Sequence, residues 1–280
     1  MNEQSIKEFW NENSCGESQV GGFKGDYEEF FDKYDNYRYS KEKHILKCLD
    51  KIDFDGKKVL EIGLGQGADS EQIIRRGGIW SGLDLTETAV ERVKQRLPLK
   101  QLPYQDIKQG SALEIPYPDN SFDIVYSFGV LHHIPEIEKA RAEIARVLKP
   151  GGRLVMMLYA KNSLNYLFSI SIIRRLGIFL LSVLNIKCKN EIYNQHIENA
   201  KKIGLFNYLK MKNFIHRNTD GPLNPYSKVY DRYSVEQDFK DFKLKEIHKE
   251  FMHAPPLPVQ NLPCASLLGW HLWVEMDVLK

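Results

Sequence analysis

The stretch KVLEIGLGQG, residues 58–67, joins a short apolar run to a glycine-rich turn. The run has the length and composition of a buried strand, and a helical pattern follows it from Asp69 to Arg76. Glycines between a strand and a helix let the backbone approach a ligand, and the free N–H groups that begin the helix attract anions. The stretch therefore predicts an α/β fold with a site for a nucleotide-like ligand at this turn.

The same alternation of strand and helix continues beyond the turn. Four more runs predict strands: IWSGLDL, a segment near residues 104–109, SFDIVYSFGVL, and GGRLVMMLYA, which is entered through a turn at Lys149-Pro150-Gly151-Gly152. The amphipathic segments ETAVERVKQRL and EIEKARAEIARVL predict crossover helices, and crossover helices imply parallel strands. Two late runs, FKLKEIHKEF and HLWVEMDVL, are expected to close the sheet as an antiparallel pair.

The pattern divides the chain into four segments. Residues 1–50 have aromatic residues at roughly helical spacing and predict an N-terminal helical cap. Residues 51–160 are expected to form the ligand-binding core. Residues 161–230 are an insertion that predicts a helical and loop cap over the substrate, and residues 231–280 return to the core sheet.

The composition favours chemistry on a small molecule. The chain has 280 residues, is 42% hydrophobic, and carries 39 Lys and Arg against 37 Asp and Glu, a formal charge of +2. This balance gives no reason to expect a nucleic-acid partner. The four cysteines lie far apart without the spacing of a zinc site, so no metal is expected. The polar start MNEQSIKEFW is unlike a secretory signal, and the expected location is cytoplasmic.

One apolar stretch, Leu164 to Ile186, is about as long as a membrane span. Arg174 and Arg175 lie at its centre, where charges are costly in a bilayer, so no transmembrane segment is expected. A packed cap helix, a lid over a lipid-like acceptor, and an interfacial helix with peripheral membrane contact remain as interpretations.

Asp84 ends the second predicted strand, one strand–helix unit after the glycine turn. At that place a carboxylate can accept hydrogen bonds from both hydroxyls of a ribose. The segment from Gly63 to Ala68 also satisfies the dinucleotide-binding pattern GxGxxA. These residues alone therefore do not distinguish an NAD site from another nucleoside site.

Further motifs follow in order within about residues 57–160. They are Glu61–Gly67, Asp84-Leu85-Thr86, Gly110–Pro116, Asp119–Val125, Leu131-His132-His133 and Arg146–Gly152. The series resembles the motifs of class I S-adenosylmethionine-dependent methyltransferases, and within them the small-molecule group that includes ubiquinone-pathway enzymes. The resemblance implies a Rossmann-like seven-stranded sheet, S-adenosylmethionine as cofactor with S-adenosylhomocysteine as product, and methyl transfer to a small-molecule or lipid-like acceptor.

The resemblance also implies roles for individual residues. Glu61 would order the glycine loop, and Ser111 stands where the family often has an acidic residue, which leaves the adenine amino group to Ser111, to the backbone of Ala112, or to neither. The other implied cofactor contacts are Gly63, Gly65 and Gly67 to the methionine and ribose portion, Asp84 to the ribose, Leu85 to the adenine, and Phe128 with Gly129 beneath the sulfonium.

Arg38 of the N-terminal cap is a further candidate, because a guanidinium can bind the methionine carboxylate of the cofactor through charge-assisted bonds. A solvated arginine on the cap is the equal alternative.

Methyl transfer from a sulfonium is an in-line displacement, so alignment of the acceptor supplies most of the catalysis. A hydroxyl or acidic carbon acceptor also needs a general base. His132 and His133 follow the fourth predicted strand, at the edge of the sheet where ligands bind, and they are the candidate catalytic residues. The alternative for both is a structural role in the turn.

Four residues are candidates for acceptor contacts. Tyr27 and Tyr39 lie in the aromatic N-terminal cap, and Asn224 and Tyr226 lie in a polar loop of the insertion. Aromatic residues at helical spacing are more often packing residues. The segment Ser127–Val130 stands where DNA amino-methyltransferases carry their own motif, and this difference argues against a nucleic-acid substrate.

Three other functions are weighed against this one. A nucleotide-dependent oxidoreductase would need a second mononucleotide-binding half, which the terminal runs do not suggest. A non-catalytic, cofactor-binding subunit could keep the same fold. Arsenite methylation is disfavoured because the cysteines are dispersed.

Overall fold

Seven strands form one sheet. In the computed structural model, which describes residues 2–280, they are β1 (Lys58–Ile62), β2 (Ile79–Asp84), β3 (Asp106–Gln109), β4 (Phe122–Phe128), β5 (Leu148–Tyr159), β6 (Phe242–Glu250) and β7 (His271–Val278). Their order across the sheet is β3-β2-β1-β4-β5-β7-β6. The first five are parallel, and β7 is antiparallel to both of its neighbours. The expected Rossmann-like, mostly parallel sheet is confirmed.

Helices cover both faces of the sheet. They are α1 (Glu3–Glu12), α2 (Tyr27–Lys41), α3 (His44–Leu49), α4 (Ala68–Arg75), α5 (Glu87–Leu99), α6 (Ile137–Val147), α7 (Arg175–Val183), α8 (Glu191–Ile203), α9 (Leu205–Tyr208), α10 (Met211–Phe214), α11 (Arg232–Asp238) and α12 (Ala265–Leu268). On one face α3, α4 and α5 bury apolar residues such as Leu49, Ile73 and Val93. On the other face α6 and α11 bury Ile144 and Val235. The two layers leave the carboxyl edge of the parallel strands for a ligand.

The entry into β5 differs from the prediction. Lys149-Pro150-Gly151-Gly152 was expected to form a turn before the strand, but the structure includes these residues in β5. The pairing with β4 shifts between Leu148 and Arg153, and Gly151 has a φ of 74°. Because glycine tolerates this conformation, the glycine pair lets the strand bulge instead of ending it.

The N-terminal helices lie over the carboxyl edge and are held there by polar contacts. The Arg96 guanidinium is fully buried and bonds to Glu71 at 2.9 Å and to Asp35 of α2. The side-chain amide of Gln66 in the glycine loop donates to Ser14 Oγ at 2.7 Å. The N-terminal segment is therefore tied directly to the loop that the sequence marks as the ligand site.

The insertion builds a small apolar core of its own around Ile170, Ile178, Tyr208 and Phe214, which packs on Trp270 just before β7. A π-helical segment, Asn165–Arg174, runs directly into α7. The combined helix Asn165–Val183 is long and apolar enough, by length and composition, to cross a membrane. We call it the apolar helix. Ile170 and Ile178 anchor one side of it in the insertion core, with 0% and 2% exposure.

Candidate functional site

A cavity of about 340 Å³ lies at the carboxyl edge of the parallel strands. Loops after β1, β2 and β4 form its floor, and the N-terminal segment forms its roof through residues such as Trp10, Cys15 and Arg38. This position is the one at which open α/β sheets bind ligands, and the volume suits a small molecule.

The glycine loop closes tightly against the segment after β4. Gly63 has a φ of 85°, and a Cβ at this position would lie 2.0 Å from Val130 Cγ2. Its N–H donates to the carbonyl of Leu83 at 2.8 Å. No side chain fits at Gly63, so the loop backbone itself forms this wall of the cavity. Gly65 also lines the cavity, whereas Gly67 packs against Val93 and Arg96 and does not line it.

The carboxylate of Asp84 joins the glycine loop to the end of β2. Its Oδ2 accepts from the N–H of Leu64, and its Oδ1 accepts from the N–H and the hydroxyl of Thr86, all at 2.7 Å. Burial raises the pKa of this carboxyl, and the hydrogen bonds from Thr86 and Leu64 oppose the rise. Asp84 also lines the cavity. It is therefore both a brace for the loop and an acceptor that faces the ligand space.

Glu61 lies beneath the same loop and is 2% exposed. Its Oε2 accepts from Ser70 Oγ at 2.6 Å and from Trp80 Nε1 at 2.7 Å, so it links β1 to α4 and β2. Burial, with a further contribution from Asp69, raises its pKa to about 8. These contacts hold the elements on either side of the glycine loop, and no side-chain hydrogen bond in residues 2–280 joins Glu61 to Gly63–Gly67 itself.

The side of the cavity beyond Asp84 is apolar. Leu85 and Ala112 line it together with Ala89 and Leu113. Ser111 does not line it. Its hydroxyl donates to the Glu3 carboxylate of α1 and accepts from the N–H of Leu113 at 2.9 Å. The structure thus leaves Ala112, and not Ser111, at the place expected to meet the adenine.

Arg38 reaches the cavity from α2, and its guanidinium also covers the Phe128 ring at 4.7 Å. Its main partner is Asp69 in the first turn of α4, with bonds of 3.0 and 2.9 Å. Glu42 lies 3.5 Å from the guanidinium. Arg38 is therefore neither solvated nor unpaired, and its first structural task is to clamp α2 to α4.

Polar side chains meet at the end of the cavity opposite Leu85. The His133 Nδ1 lies 2.7 Å from the carbonyl oxygen of Tyr226. A carbonyl only accepts, so Nδ1 carries the hydrogen and Nε2 of the neutral ring keeps its lone pair. Nε2 lies 3.5 Å from Asp220 Oδ2, and the Tyr159 hydroxyl donates to Asp220 Oδ1 at 2.7 Å. We call His133, Asp220 and Tyr159 the acceptor-end triad; all three line the cavity.

The two candidate histidines are in different environments. His132 is 0% exposed, stacks on the Tyr159 ring at 3.9 Å and does not line the cavity. Burial holds its pKa well below the usual range, and neither ring nitrogen has a hydrogen-bond partner within residues 2–280. His132 is a neutral packing residue here, whereas His133 faces the ligand space.

A second polar pair at this end was missed by sequence reasoning. His271 begins β7 opposite Tyr159 and lines the cavity. Its Nδ1 lies 3.0 Å from His44 Nε2, and its Nε2 lies 3.8 Å from Glu42 Oε1. Burial lowers the pKa of His44 to about 3 and lowers that of His271 as well. Only the register of the terminal strands could have indicated His271 in advance.

The four residues proposed for acceptor contacts do not line the cavity. Tyr27 stacks on Phe23 at 4.3 Å, and Tyr39 packs against the core beside α3. Asn224 is 1% exposed and donates to Ser227 Oγ at 2.8 Å, while the Tyr226 ring stacks on His216. Helical spacing and loop polarity do not reveal which way a side chain faces. The same loop instead supplies Asp220 and the Tyr226 carbonyl.

Three possible metal ligands meet elsewhere, although no metal was expected. Ligand atoms of Cys48, His248 and Glu250 all lie within 4.8 Å of one another. Burial raises the pKa of Cys48 to about 12, which opposes the thiolate that a metal would need. This cluster is not part of the cavity lining.

Comparisons with known proteins agree with the fold. Residues 60–156 match a family model described as a methyltransferase domain. A phthiotriol/phenolphthiotriol dimycocerosates methyltransferase of Mycobacterium tuberculosis is 35% identical over 104 residues, which cover 36% of this chain and 37% of that protein. A fatty-acid O-methyltransferase of Mycolicibacterium smegmatis matches with the same identity and coverage. Sterol 24-C-methyltransferase ERG6B of Gibberella zeae is 38% identical over 35% of this chain and 26% of that protein. The matches thus span between about a quarter and little more than a third of these relatives.

Solved structures share the architecture over most of the chain. A SAM-dependent methyltransferase from Aquifex aeolicus has a TM-score of 0.53 and 15% identity, over 91% of this chain and 100% of that one. The [4+2]-cyclase SpnF has a TM-score of 0.57 and 12% identity, over 98% and 94%. At such identities the likeness concerns the fold, and a cyclase on this fold shows that architecture does not fix the reaction. Residues 60–156 therefore form a methyltransferase domain by their family match, and the seven-stranded sheet with its glycine turn beside Asp84 has the architecture of solved SAM-dependent methyltransferases.

Proposed function

We propose that this chain transfers the methyl group of S-adenosylmethionine to a hydroxyl of a lipid-like acceptor. One observation carries the proposal: a single cavity is lined by the glycine loop and Asp84 at one end and by the acceptor-end triad at the other. A nucleoside site and a candidate general base therefore open into the same enclosed space.

The residues present fit the cofactor. The Gly63–Gly65 backbone and Asp84 would hold the ribose and methionine portion, since Gly63 admits no side chain and the Asp84 carboxylate lines the cavity. Leu85 and Ala112 offer apolar contact for the adenine. Phe128 and Gly129 lie between the glycine loop and the acceptor end, beside Val130. When bound, S-adenosylmethionine supplies an electrophilic methyl group whose sulfur leaves with the bonding electrons.

The chain's own residues would prepare the acceptor. His133 Nε2 would take the hydroxyl proton, because Nδ1 is committed to the Tyr226 carbonyl. Asp220 would stabilise the imidazolium that forms, and Tyr159 would orient Asp220. The roof formed by Trp10 and the N-terminal helices excludes water, which favours alignment of the acceptor oxygen with the methyl carbon.

A lipid-like acceptor is supported by the wall and by the relatives. Ile6, Trp10, Phe128 and Met157 give the cavity large apolar surfaces. The relatives described above are named for acting on dimycocerosates, a fatty acid and a sterol. A mostly apolar space with a few convergent polar groups suits such molecules.

The first experiment is calorimetric titration of the purified chain with S-adenosylhomocysteine and, separately, with NAD. Asp84→Asn keeps the shape of the side chain but removes its charge, so we expect affinity for S-adenosylhomocysteine to fall by about 10- to 100-fold. Asp106→Asn, at the start of β3 outside the cavity lining, is the matched control and is expected to bind normally. Preference for NAD, or equal binding by both variants, contradicts the proposed site.

A further inference from the structure

Exposed apolar residues are concentrated in the insertion. Of the twenty large hydrophobic residues that are exposed within residues 2–280, thirteen lie between residues 161 and 230, a quarter of the chain. Leu176 and Leu184 are 54% and 62% exposed, and Phe206 is 78% exposed. A concentration of this kind marks an interaction surface, since scattered single residues would need no explanation.

The apolar helix presents one face of this surface. Phe168, Ile172, Leu176 and Leu180 recur every four residues along it, Leu184 continues the spacing just past its end, and all five are exposed. The opposite side is fixed by Ile170 and Ile178 in the insertion core. Spacing of four places these side chains along one stripe of a helix. The exposed side of the helix is therefore continuous, and the rest of the described chain leaves it uncovered.

The same segment is strongly basic. Residues 161–230 contain eleven Lys and Arg against three Asp and Glu, a formal charge of +8, so the remainder of the chain carries −6 within the total of +2. Seven lysines of the segment are exposed. One of them, Lys161, pairs with Asp231, and the other six are Lys187, Lys189, Lys201, Lys202, Lys210 and Lys212. None of these six has a carboxylate within ion-pair distance anywhere in residues 2–280. Their charge is available to a partner.

Some of these lysines are neighbours of exposed apolar residues in the sequence. Lys187 follows the exposed Ile186, and Lys202 precedes the exposed Ile203. Phe206 of α9 lies beside Phe179 of the apolar helix, with ring centroids 6.5 Å apart, and Lys210 follows one turn later. We call the apolar stripe, Phe206 and the six lysines the basic apolar face.

We propose that the basic apolar face docks on the surface of an anionic lipid bilayer. Apolar side chains would enter the boundary between headgroups and acyl chains, and the lysines would pair with anionic headgroups. The charge argues for this occupant, because a symmetric contact with a second copy would bring the six lysines of one face against those of the other. The docking does not depend on the proposed reaction, although it would place the enzyme where lipid-like acceptors are dissolved.

The helix is suited to lie on a bilayer and not to cross it. Arg174 near its centre donates to the carbonyls of Asn218 at 2.7 Å and Pro255 at 3.1 Å, so it is bound to two other segments of the fold. Crossing would break these bonds and pull Ile170 and Ile178 out of the insertion core. Docking leaves them intact.

The face also connects to the acceptor end of the cavity. Tyr159 of the acceptor-end triad stacks on Trp270 at 4.5 Å, and Trp270 packs in the insertion core with Ile170 of the apolar helix. A helix seated in a bilayer would therefore lie one packing layer from the site of the proposed proton transfer.

The test is co-sedimentation of the full chain, without cofactor, with vesicles of phosphatidylcholine alone or mixed with phosphatidylglycerol. We expect binding to the anionic vesicles, little binding to the neutral ones, and weaker binding at high salt. Leu176→Glu with Leu180→Glu should lower the affinity by at least about tenfold, since it puts charge on the inserted stripe. Replacing Lys201, Lys202, Lys210 and Lys212 by Gln should also lower it by at least about tenfold.

Leu99→Glu with Leu267→Glu is the matched control, because both leucines are exposed but lie outside the insertion. Unchanged thermal midpoints would show that the variants fold. Equal binding by wild type, control and face variants would overturn the proposal, as would resistance to extraction by alkaline carbonate, which indicates a spanning helix. A wild type that self-associates but does not bind vesicles, with face variants that stay monomeric, would mean that the partner of the face is a second copy of the chain and not a bilayer. Asp84→Asn should still bind vesicles, so failure of the cofactor proposal is separable from failure of this one.

Discussion

The neighbours of His133 determine which of its two ring nitrogens can accept a proton. The Tyr226 carbonyl fixes the hydrogen on Nδ1, and this leaves Nε2 as the atom that faces Asp220 and the cavity. His132 is next in sequence but lies behind Tyr159 with no polar contact in the described structure. A difference of one residue along a short 3-10 turn therefore separates a candidate base from a packing residue.

The base can be tested by His133→Asn. Asparagine can keep a donor toward the Tyr226 carbonyl but cannot accept the acceptor's proton, so we expect kcat to fall by about 10²- to 10⁴-fold. Binding of S-adenosylhomocysteine should change little, because the glycine loop and Asp84 are untouched. Asp220→Asn should lower kcat by a smaller factor, since the Asp220 carboxylate of the wild type stabilises the imidazolium but does not take the proton.

The measurement is radiolabelled methyl transfer to hydroxylated lipids, compared with the same lipids already methylated at the hydroxyl. Wild type should methylate the free hydroxyl and leave the already methylated lipids unchanged, and His133→Asn should lose most of that transfer. An unchanged kcat in His133→Asn would mean that His133 only lines the cavity.

At the scale of secondary structure elements, the roof of the cavity depends on two buried arginines. Arg96 ties α5 to α2 and α4, and Arg38 ties α2 to the first turn of α4, directly after the glycine loop. A ligand in the cavity touches both the loop and the roof. Ordering of the N-terminal helices and binding of the cofactor should therefore be coupled.

We predict that Arg38→Met weakens both the ordering of the N-terminal helices and the binding of the cofactor. Methionine keeps the apolar stem over Phe128 but leaves Asp69 buried without its cation, at a cost of about 3–5 kcal/mol. Hydrogen exchange across residues 27–41 should become faster, and affinity for S-adenosylhomocysteine should fall. Arg76→Met is the matched control, because its partner Asp50 is largely exposed and such pairs contribute at most about 1 kcal/mol. Equal effects of the two substitutions would argue against a clamp.

Sequence reasoning located the cavity residues whose positions follow directly from the ends of the predicted strands. The glycine turn, Asp84 and Phe128 stand at the ends of strands, and the sheet edge brings such ends together whatever the rest of the fold does. Asp220 and His271 reach the cavity only through the packing of the insertion and the register of β7 on β5. Tyr27 and Tyr39 were candidates that do not line the cavity, because aromatic residues at helical spacing do not indicate which face of the helix meets the ligand.

For the whole molecule, the buried ionisable groups predict a stability that depends on pH. Burial lowers the pKa of six histidines: His44, His132, His196, His216, His253 and His271. They are neutral in the fold, whereas the unfolded chain takes up protons at about pH 6.5. Their contribution to the free energy of unfolding is therefore present above that pH. It is lost as the pH falls below it, by at most about 1.4 kcal/mol per pH unit for each histidine.

Buried carboxyls act in the opposite direction. Burial raises the pKa of Glu61 to about 8 from an ordinary 4.5, so its contribution to stability is lost as the pH rises through this interval. Burial also raises the pKa of Asp35, Glu42 and Asp84. The histidines outnumber these carboxyls, and we expect the acid side to dominate, with the thermal midpoint falling by roughly 5–10 °C between pH 7 and pH 5.

Calorimetric scans of wild type and two variants between pH 5 and pH 9 separate the two contributions. His132→Phe keeps a ring against Tyr159 but removes two buried nitrogens without partners, so the midpoint should rise and the loss below pH 6.5 should become shallower. Glu61→Gln keeps an oxygen for Ser70 and Trp80 but cannot ionise, so it should stabilise the chain at pH 9 and make the loss of stability between pH 7 and pH 5 steeper. A midpoint that is flat with pH in all three proteins would mean that these groups titrate alike in the folded and unfolded chains.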